Sequence, residues 1–312
     1  APGTGNGNGN ASGGGGGGAP GKGPPPPSPI KFEGIIPASN LPRSFSTEGL
    51  PPPRPLVPSE HSVRPDVLRT VQYVPSYLPE EWIDETLRYL RSLPEHSEGG
   101  FGGSGSGSGT GGGGSSGRRR SDERDHLGKW TTLRHARRRV ALFDSTGSPG
   151  GGGGGENGRL PGPLGAVADA LVESGAFPPS ATGGGPPNHV LVNEYRPGEG
   201  IMAHTDGPAY EERTCTISVG GGDAILRFSP RRRADDDGGG EGKHEKNTVL
   251  EVLLRGDGSL VTFSGDAYID YCHSIDEVEE ERTSDKCGNA EGGITVKRGY
   301  RVSLTFRRKK RK

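Results

Sequence analysis

The sequence predicts a mainly β fold, an antiparallel sandwich or jelly roll with flanking α-helices and long disordered Gly/Pro-rich segments. One observation is a set of short runs, rich in β-branched and aromatic residues, that are separated by Gly, Pro or charged breaks. A second is that apolar residues at helical spacing occur only upstream of residue 186. The strand-like runs are 189–195, 214–219, 224–228, 249–254, 259–263, 268–273 and 301–307.

Composition predicts that much of the chain stays outside any core. The 312 residues include 58 glycines and 28 prolines, and only 28% of residues are hydrophobic. We therefore expect one domain over residues 66–308, with flexible inserts near 96–117, 144–160 and 231–247. A disordered Gly/Pro-rich tail, 1–65, precedes it and a basic tail, 309–312, follows it. The proline-rich part of the first tail is either a solvated segment or a ligand for a proline-binding domain.

The segments upstream of the strand-like runs supply the flanking elements. Residues 70–75 have the composition of an entering strand, and residues 79–93 begin with proline and acidic residues and carry an apolar stripe that predicts an amphipathic helix. Residues 163–177 repeat the helical spacing, and Gly175 is a candidate helix end. We expect these helices to pack on the outside of the sheet.

Cysteine usage and hydropathy exclude several classes of protein. The three cysteines show no metal-binding spacing, which argues against a disulfide scaffold or a zinc module and fits a reducing compartment. No apolar run approaches the roughly 18 residues that span a bilayer. We therefore expect no membrane partner, and a monomer.

The pair His204 and Asp206 is the first candidate for metal binding. In an extended segment, side chains two residues apart leave the same face. One imidazole and one carboxylate are two members of the 2-His-1-carboxylate triad that holds non-haem Fe(II). His273, which the pattern places at the end of a strand over residues 268–273, is the candidate third ligand.

The run 301–307 alternates strictly between two faces. Val302, Leu304 and Phe306 share one face, whereas Arg301 and Arg307 lie on the other with Ser303 and Thr305. A sheet surface that carries two arginines is suited to binding an anion. Each residue also has a purely structural interpretation: the histidines as surface or core residues, the arginines as edge-strand charges, and Tyr195 as a core aromatic.

Taken in order, HxD, a distant histidine and RVSLTFR resemble the AlkB family of Fe(II)- and 2-oxoglutarate-dependent dioxygenases. The segment Asn193-Glu194-Tyr195 is similar to the Asn-x-Tyr segment of that family, and the block from Pro186 to Tyr210 most resembles its sixth homologue group. The resemblance covers about residues 70–308, interrupted by glycine-rich inserts.

The resemblance implies a double-stranded β-helix and a specific set of site residues. His204, Asp206 and His273 would be the catalytic Fe(II) ligands, and O₂ and 2-oxoglutarate the co-substrates. By the family correspondence Arg301 pairs with the distal carboxylate of 2-oxoglutarate and Arg307 lies near its metal-side carboxylate. Asn193 and Tyr195 would add neutral hydrogen bonds.

The implied reaction is oxidative demethylation of alkylated nucleic acid, RNA or single-stranded DNA. Lys129 and Trp130 lie in a basic segment that the resemblance places at the substrate-recognition lid, where they would contact phosphate and stack on a base. Trp130 has the alternative of being a core residue. Two other functions stay open: a protein hydroxylase or demethylase with the same chemistry, and a non-enzymatic binder of modified RNA.

The basic run 307–312 begins inside the last predicted strand. It is a nuclear localisation signal, a phosphate-binding arm or a solvated end. We expect the protein in the nucleus and the cytoplasm.

Overall fold

Alternating apolar and polar residues build two antiparallel sheets that share a core. The computed structural model describes residues 45–96, 127–133, 136–146, 159–179, 185–231 and 247–310. Within these residues the strands are β1 (Gln72–Val74), β2 (Trp130–Thr132), β3 (Arg139–Asp144), β4 (His189–Tyr195), β5 (Ile201–His204), β6 (Arg213–Val219), β7 (Ala224–Pro230), β8 (Leu250–Leu254), β9 (Ser259–Ser264), β10 (Tyr271–Ile275), β11 (Glu280–Arg282), β12 (Thr295–Lys297) and β13 (Arg301–Arg307). The helices are α1 (Pro58–His61), α2 (Glu80–Arg91), α3 (Gly162–Glu173) and α4 (Gly265–Ile269).

The larger sheet has the strand order β1-β9-β6-β13-β4-β3-β2, and the smaller one β5-β10-β7-β8. Apolar side chains from both sheets, including Val261, Phe228 and Val252, meet in one buried cluster. The opposite face of the larger sheet carries Val192, Leu304 and Ile217, which pack with residues of α2 and α3 in a second cluster. This arrangement confirms the predicted mainly β jelly roll with flanking helices.

Strand β13 is central to the larger sheet, between β6 and β4. Its register places Arg301 opposite Tyr195 and Arg307 opposite His189 on β4. Val302, Leu304 and Phe306 belong to the helix-side cluster, so the alternation leaves the two arginines on the face toward the smaller sheet. The strand thus carries a cation at each end of one interior face, as the sequence predicts.

Helix α2 follows the amphipathic pattern of its sequence. Glu80 and Glu81 lie in its first turn and Arg88 and Arg91 in its last, which complements the helix dipole. Its buried residues, Trp82, Thr86, Leu87 and Leu90, face the larger sheet.

No helix in the described part of the chain is long and apolar enough to cross a membrane.

The packed chain begins well before residue 66, which corrects the predicted boundary of the disordered tail. Trp82 Nε1 donates to the Pro51 carbonyl at 2.9 Å, and the Leu56 amide donates to the Ser174 carbonyl at 2.9 Å. Prolines lack a backbone N–H, but the carbonyls of this proline-rich segment and the amides of its other residues form hydrogen bonds with residues of α2 and with the end of α3. Residues 1–44 and most of the predicted inserts lie outside the described residues.

Two other segments differ from expectation. The run 268–273 is not one strand: α4 occupies Gly265–Ile269, β10 starts at Tyr271, and the strand continues past His273. Asp266 explains the helical turn, since its Oδ1 accepts from the Ala267 amide at 2.8 Å and from Thr70 Oγ1 at 2.7 Å. The polar segment 277–293, which is not among the predicted strand-like runs, contains β11.

The pair β11–β12 is held against the smaller sheet by buried ion pairs. Glu281 lies 2.8 Å from Arg227 and 3.0 Å from Arg298. Arg298 also donates to the Glu199 carbonyl at 3.1 Å, which ties this sheet to the turn just before β5. Buried charges with several partners specify one arrangement of the segment, which composition alone did not reveal.

The first residues of the basic tail form hydrogen bonds with the folded domain. The Lys309 amide donates to Asn188 Oδ1 at 2.8 Å, and the Lys310 amide donates to the Ala209 carbonyl at 3.0 Å. The tail therefore begins as part of the fold, and Arg311 and Lys312 lie outside the described residues. A role in nuclear localisation stays a prediction.

Candidate active site

His204, Asp206 and His273 converge at one end of the space between the sheets. The candidate ligand atoms of the three side chains lie within 4.8 Å of one another. His204 on β5 and His273 on β10 face each other in register, with ring centroids 4.3 Å apart. Gly200, just before β5, permits this approach, because a Cβ at that position would overlap the Ile275 carbonyl of β10.

Both histidines are set up as neutral ligands. His204 Nδ1 lies 2.8 Å from the Met202 carbonyl, which only accepts, so Nδ1 carries the proton and Nε2 keeps its lone pair for a metal. Burial lowers the pKa of His204 and lowers that of His273 to about 3. Phe263, with its ring centroid 5.0 Å from that of His273, supplies part of this apolar surrounding. Neutral imidazoles are the form that binds metals.

Asp206 is held as a carboxylate. Thr214 Oγ1 donates to its Oδ2, and Arg307 Nη2 lies 2.5 Å from its Oδ1. Burial on its own would raise the pKa of Asp206, but Arg307, His273 and the Thr214 hydrogen bond outweigh it and lower that pKa. A negative ligand between two neutral ones completes the predicted 2-His-1-carboxylate set.

Arg301 is a buried cation that forms no ion pair among the described residues. It is 2% exposed, and its Nε and Nη2 donate to Ser218 Oγ at 3.2 and 2.9 Å. The guanidinium lies 5.2 Å from the centre of the Tyr195 ring, and none of the described residues accepts a hydrogen bond from Nη1. Burial lowers the pKa of Arg301 to about 10, so it remains charged at neutral pH. An orphaned, fixed guanidinium is the feature expected of a site for a carboxylate ligand.

Asn193 and Tyr195 share the interior face with Arg301, as predicted. Arg138, which we did not single out from the sequence, joins them: its Nε donates to Asn193 Oδ1 at 3.1 Å and its Nη1 to the Gly200 carbonyl at 3.1 Å. Because Arg138 occupies the amide oxygen, the Nδ2 donor of Asn193 stays available for an anion. The only signal for Arg138 in the sequence is its place in an arginine-rich run, which does not distinguish it from its neighbours.

At the metal-side end, Tyr210 and His189 lie close to Arg307. The Arg307 guanidinium is 5.2 Å from the centre of the Tyr210 ring, and the Tyr210 hydroxyl is 3.3 Å from His189 Nε2. Burial lowers the pKa of His189 to about 3, so its ring is neutral and adds no charge beside Arg307. The pair shapes the position of Arg307.

The predicted base-stacking role of Trp130 is corrected by its surroundings. Trp130 is 3% exposed within the helix-side core, its Nε1 donates to the Leu90 carbonyl at 2.8 Å, and Arg139 covers its ring at 4.4 Å. A base cannot stack on a ring that is already buried, so the alternative of a core residue holds. Lys129 is half-buried and lies just before β2, and its predicted contact with phosphate stays a prediction.

The fold and the site define a non-haem oxygenase: a jelly roll that holds a His-Asp-His cluster at one end of its interior and a buried guanidinium on the interior face of the larger sheet. Residues 156–307 match the 2OG-Fe(II) oxygenase superfamily. The chain is 37% identical over 166 residues to a zebrafish (Danio rerio) protein named "Probable RNA/DNA demethylase ALKBH6", covering 48% of this chain and 68% of that protein. The chain thus belongs to the AlkB family of 2OG-Fe(II) oxygenases and is similar to the ALKBH6 group; it is a dioxygenase.

A more distant relative matches the same region. The chain is 28% identical over 131 residues to "tRNA (carboxymethyluridine(34)-5-O)-methyltransferase alkbh8" of Xenopus tropicalis, covering 39% of this chain but 18% of that larger protein. Among solved structures, OsALKBH1 aligns over 77% of this chain and 96% of its own with 13% identity and a TM-score of 0.40. The family assignment rests on the ALKBH6 relative and not on this structural likeness.

Proposed function

We propose that this dioxygenase oxidatively demethylates alkylated nucleic acid, either RNA or single-stranded DNA. Its chemistry is supported above all by the buried guanidinium of Arg301, which has no ion-pair partner among the described residues and shares β13 with Arg307, the contact of Asp206. The choice of substrate is supported by the relative whose name is "Probable RNA/DNA demethylase ALKBH6".

In this proposal His204, Asp206 and His273 hold Fe(II), for which the donor set is suited. When bound, Fe(II) together with 2-oxoglutarate and O₂ supplies the oxidation of a substrate C–H bond, with conversion of 2-oxoglutarate to succinate and CO₂. An N-methyl group that becomes hydroxylated is released as formaldehyde, which leaves the demethylated base.

The residues of the chain bind and orient the co-substrate. Arg301 receives the distal carboxylate through its free Nη1, while Ser218 fixes the other two nitrogens. Asn193 Nδ2 and the Tyr195 hydroxyl donate along the same face of β4. Arg307 balances the charge of Asp206 at the metal end and so prevents an isolated carboxylate from taking up a proton.

Formaldehyde release from N-methylated substrates tests the proposal directly. We expect release from methylated single-stranded RNA or DNA and not from methylated peptides, loss of release in His273→Ala, and retention in His61→Ala, whose histidine lies on α1. Oxidised peptide without reaction on nucleic acid would favour the protein-modifying alternative. Tight binding of methylated RNA without formaldehyde release by an iron-loaded, folded chain would favour the non-enzymatic binder of modified RNA.

A further inference from the structure

The basic segment after β13 is fixed next to the loop that carries Asp206. In addition to the two backbone hydrogen bonds from Lys309 and Lys310, Lys309 Nζ lies 2.5 Å from Asp144 Oδ2. Lys309 also forms a backbone bridge with Tyr210, four residues after Asp206. The start of the basic run is thus held in place on the surface at the metal end of the sandwich.

This segment forms one wall of a surface cleft of about 760 Å³. We call it the rim cleft; its polar lining residues are Ser145, Thr146, Arg159, Asp169, Asn188, Lys309 and Lys310. Residues of α3, among them Gly165 and Ala168, form the opposite wall. The cleft is wide, and its charged side chains are suited to contact with a hydrated, charged chain.

The position of the rim cleft relative to the metal ligands follows from the strand register. Asn188 directly precedes His189, which pairs with Arg307, and the Asn188 amide donates to the Arg307 carbonyl at 3.1 Å. Arg307 in turn contacts Asp206. The cleft, which α3 lines on the helix side, and the candidate metal site on the interior side therefore lie at the same end of the larger sheet. An extended strand that crosses this end of the sheet would contact both.

The charge of the rim cleft is positive after its internal ion pairs are counted. Asp169 pairs with Arg159 and Asp144 with Lys309, whereas Lys310 is exposed and forms no ion pair within the described residues. Arg159 keeps 60% of its side chain exposed and Lys309 keeps 34%. The Arg159–Asp169 pair is largely exposed and therefore weak, so Arg159 can exchange its carboxylate for a phosphate partner, and Lys310 has no carboxylate to exchange among the described residues.

We propose that the rim cleft binds backbone phosphates of the nucleic-acid strand whose alkylated base enters the metal site. The inference rests on the proposed function, and it assigns the contacts that position the strand, since phosphate contacts fix orientation without reading the base. Lysine and arginine on the two walls would neutralise successive phosphates. The basic run of the sequence then acts as a phosphate-binding segment at the active-site rim.

Salt-dependent binding of a fluorescein-labelled oligouridylate to the full chain tests this site. The double variant Arg159→Gln/Lys310→Gln removes one arginine and one lysine from the cleft. The matched control, Arg282→Gln/Lys297→Gln, removes the same two types of charge from exposed positions on β11 and β12. Fluorescence anisotropy at several salt concentrations gives the dissociation constant and its salt slope, and urea unfolding verifies that each variant is folded.

For two lost phosphate contacts to a single strand, the salt slope decreases by about 1.4 and binding weakens roughly 25-fold at about 0.1 M salt. We expect this change in the cleft variant and none in the control, and Lys310→Glu alone should also weaken binding. Equal losses in both double variants would overturn the proposal, because they would indicate nonspecific attraction.

The outcome for the wild type separates this inference from the proposed function. If the wild type binds and demethylates RNA, and the cleft variant binds it equally well, the rim cleft is refuted while the function stands. If the wild type neither binds nor demethylates nucleic acid, the function fails and the rim cleft fails with it.

Discussion

Replacing Arg301 by methionine should stabilise the ligand-free chain, although it removes hydrogen bonds. Burial lowers the pKa of Arg301 from 12.5 to about 10, and at about 1.4 kcal/mol per unit this corresponds to roughly 3 kcal/mol of unfavourable free energy in the charged form. Methionine has a similar volume and no charge, but it loses the bonds to Ser218. The net expectation for Arg301→Met is a gain of about 1–2 kcal/mol in unfolding free energy.

Urea unfolding of the metal-free chain measures this gain, and Arg307→Met provides a control on the same strand. Arg307 is paired with Asp206, so its removal leaves a buried carboxylate alone and should destabilise by about 3 kcal/mol. With Mn(II) present in both samples, addition of 2-oxoglutarate at about 100 times its dissociation constant should stabilise the wild type by about 2.7 kcal/mol and leave Arg301→Met unchanged. A ligand-free Arg301→Met chain that unfolds at lower urea than the wild type would refute the interpretation of Arg301 as an unsatisfied anion-binding cation.

Two further changes follow from contacts at the site and at its rim. Arg138→Ala should raise KM for 2-oxoglutarate about tenfold with kcat largely kept, because Asn193 loses its charged partner. The control Arg137→Ala, at an exposed position, should change neither value. Equal effects of the two substitutions in initial-rate assays would contradict this prediction. Burial would raise the pKa of Asp144, but hydrogen bonds from Lys309 and Thr146 lower it below 3.8. The ionised Asp144 therefore stabilises the fold above pH 3.8, and this stabilisation is lost as the pH falls through the lower pKa that Asp144 has in the folded chain. Asp144→Asn should lower the unfolding free energy by about 1 kcal/mol at pH 7, and by less near pH 3, in urea titrations.

The metal ligands and the two arginines could be predicted because their relations are short in sequence or set by alternation. His204 and Asp206 are two residues apart, and the period of β13 places Arg301 and Arg307 on one face whatever the sheet order is. The resemblance to the AlkB family then supplied the pairing of these groups with His273, which lies far along the chain.

The positions of Arg138 and Trp130 depend on strand pairing that the sequence pattern does not reveal. Arg138 reaches Asn193 only because β3 pairs with β4, with Val140 opposite Asn193, and that register links residues over 50 positions apart. Trp130 in a basic run suggests an exposed ring, whereas pairing of β2 with the sheet edge turns the ring under Arg139 and into the core. Long-range strand pairing decides both outcomes, and composition carries no information about it.

The sequence also did not indicate that the basic run after β13 is anchored to the domain, for a related reason. Its charge pattern describes the side chains, but the backbone amides of Lys309 and Lys310 find acceptors on Asn188 and Ala209. Side-chain solvation and backbone anchoring are independent, so a charged segment can be both exposed and fixed.

The most direct measurement is succinate formation from 2-oxoglutarate by the full chain with Fe(II) and O₂, in the presence and absence of methylated single-stranded RNA. The wild type should form succinate, His204→Ala and Arg301→Met should not, and Arg282→Gln, exposed on β11, should match the wild type. Equal succinate formation by the wild type and His204→Ala would contradict the account, because the His-Asp-His cluster would then not be the site of the reaction.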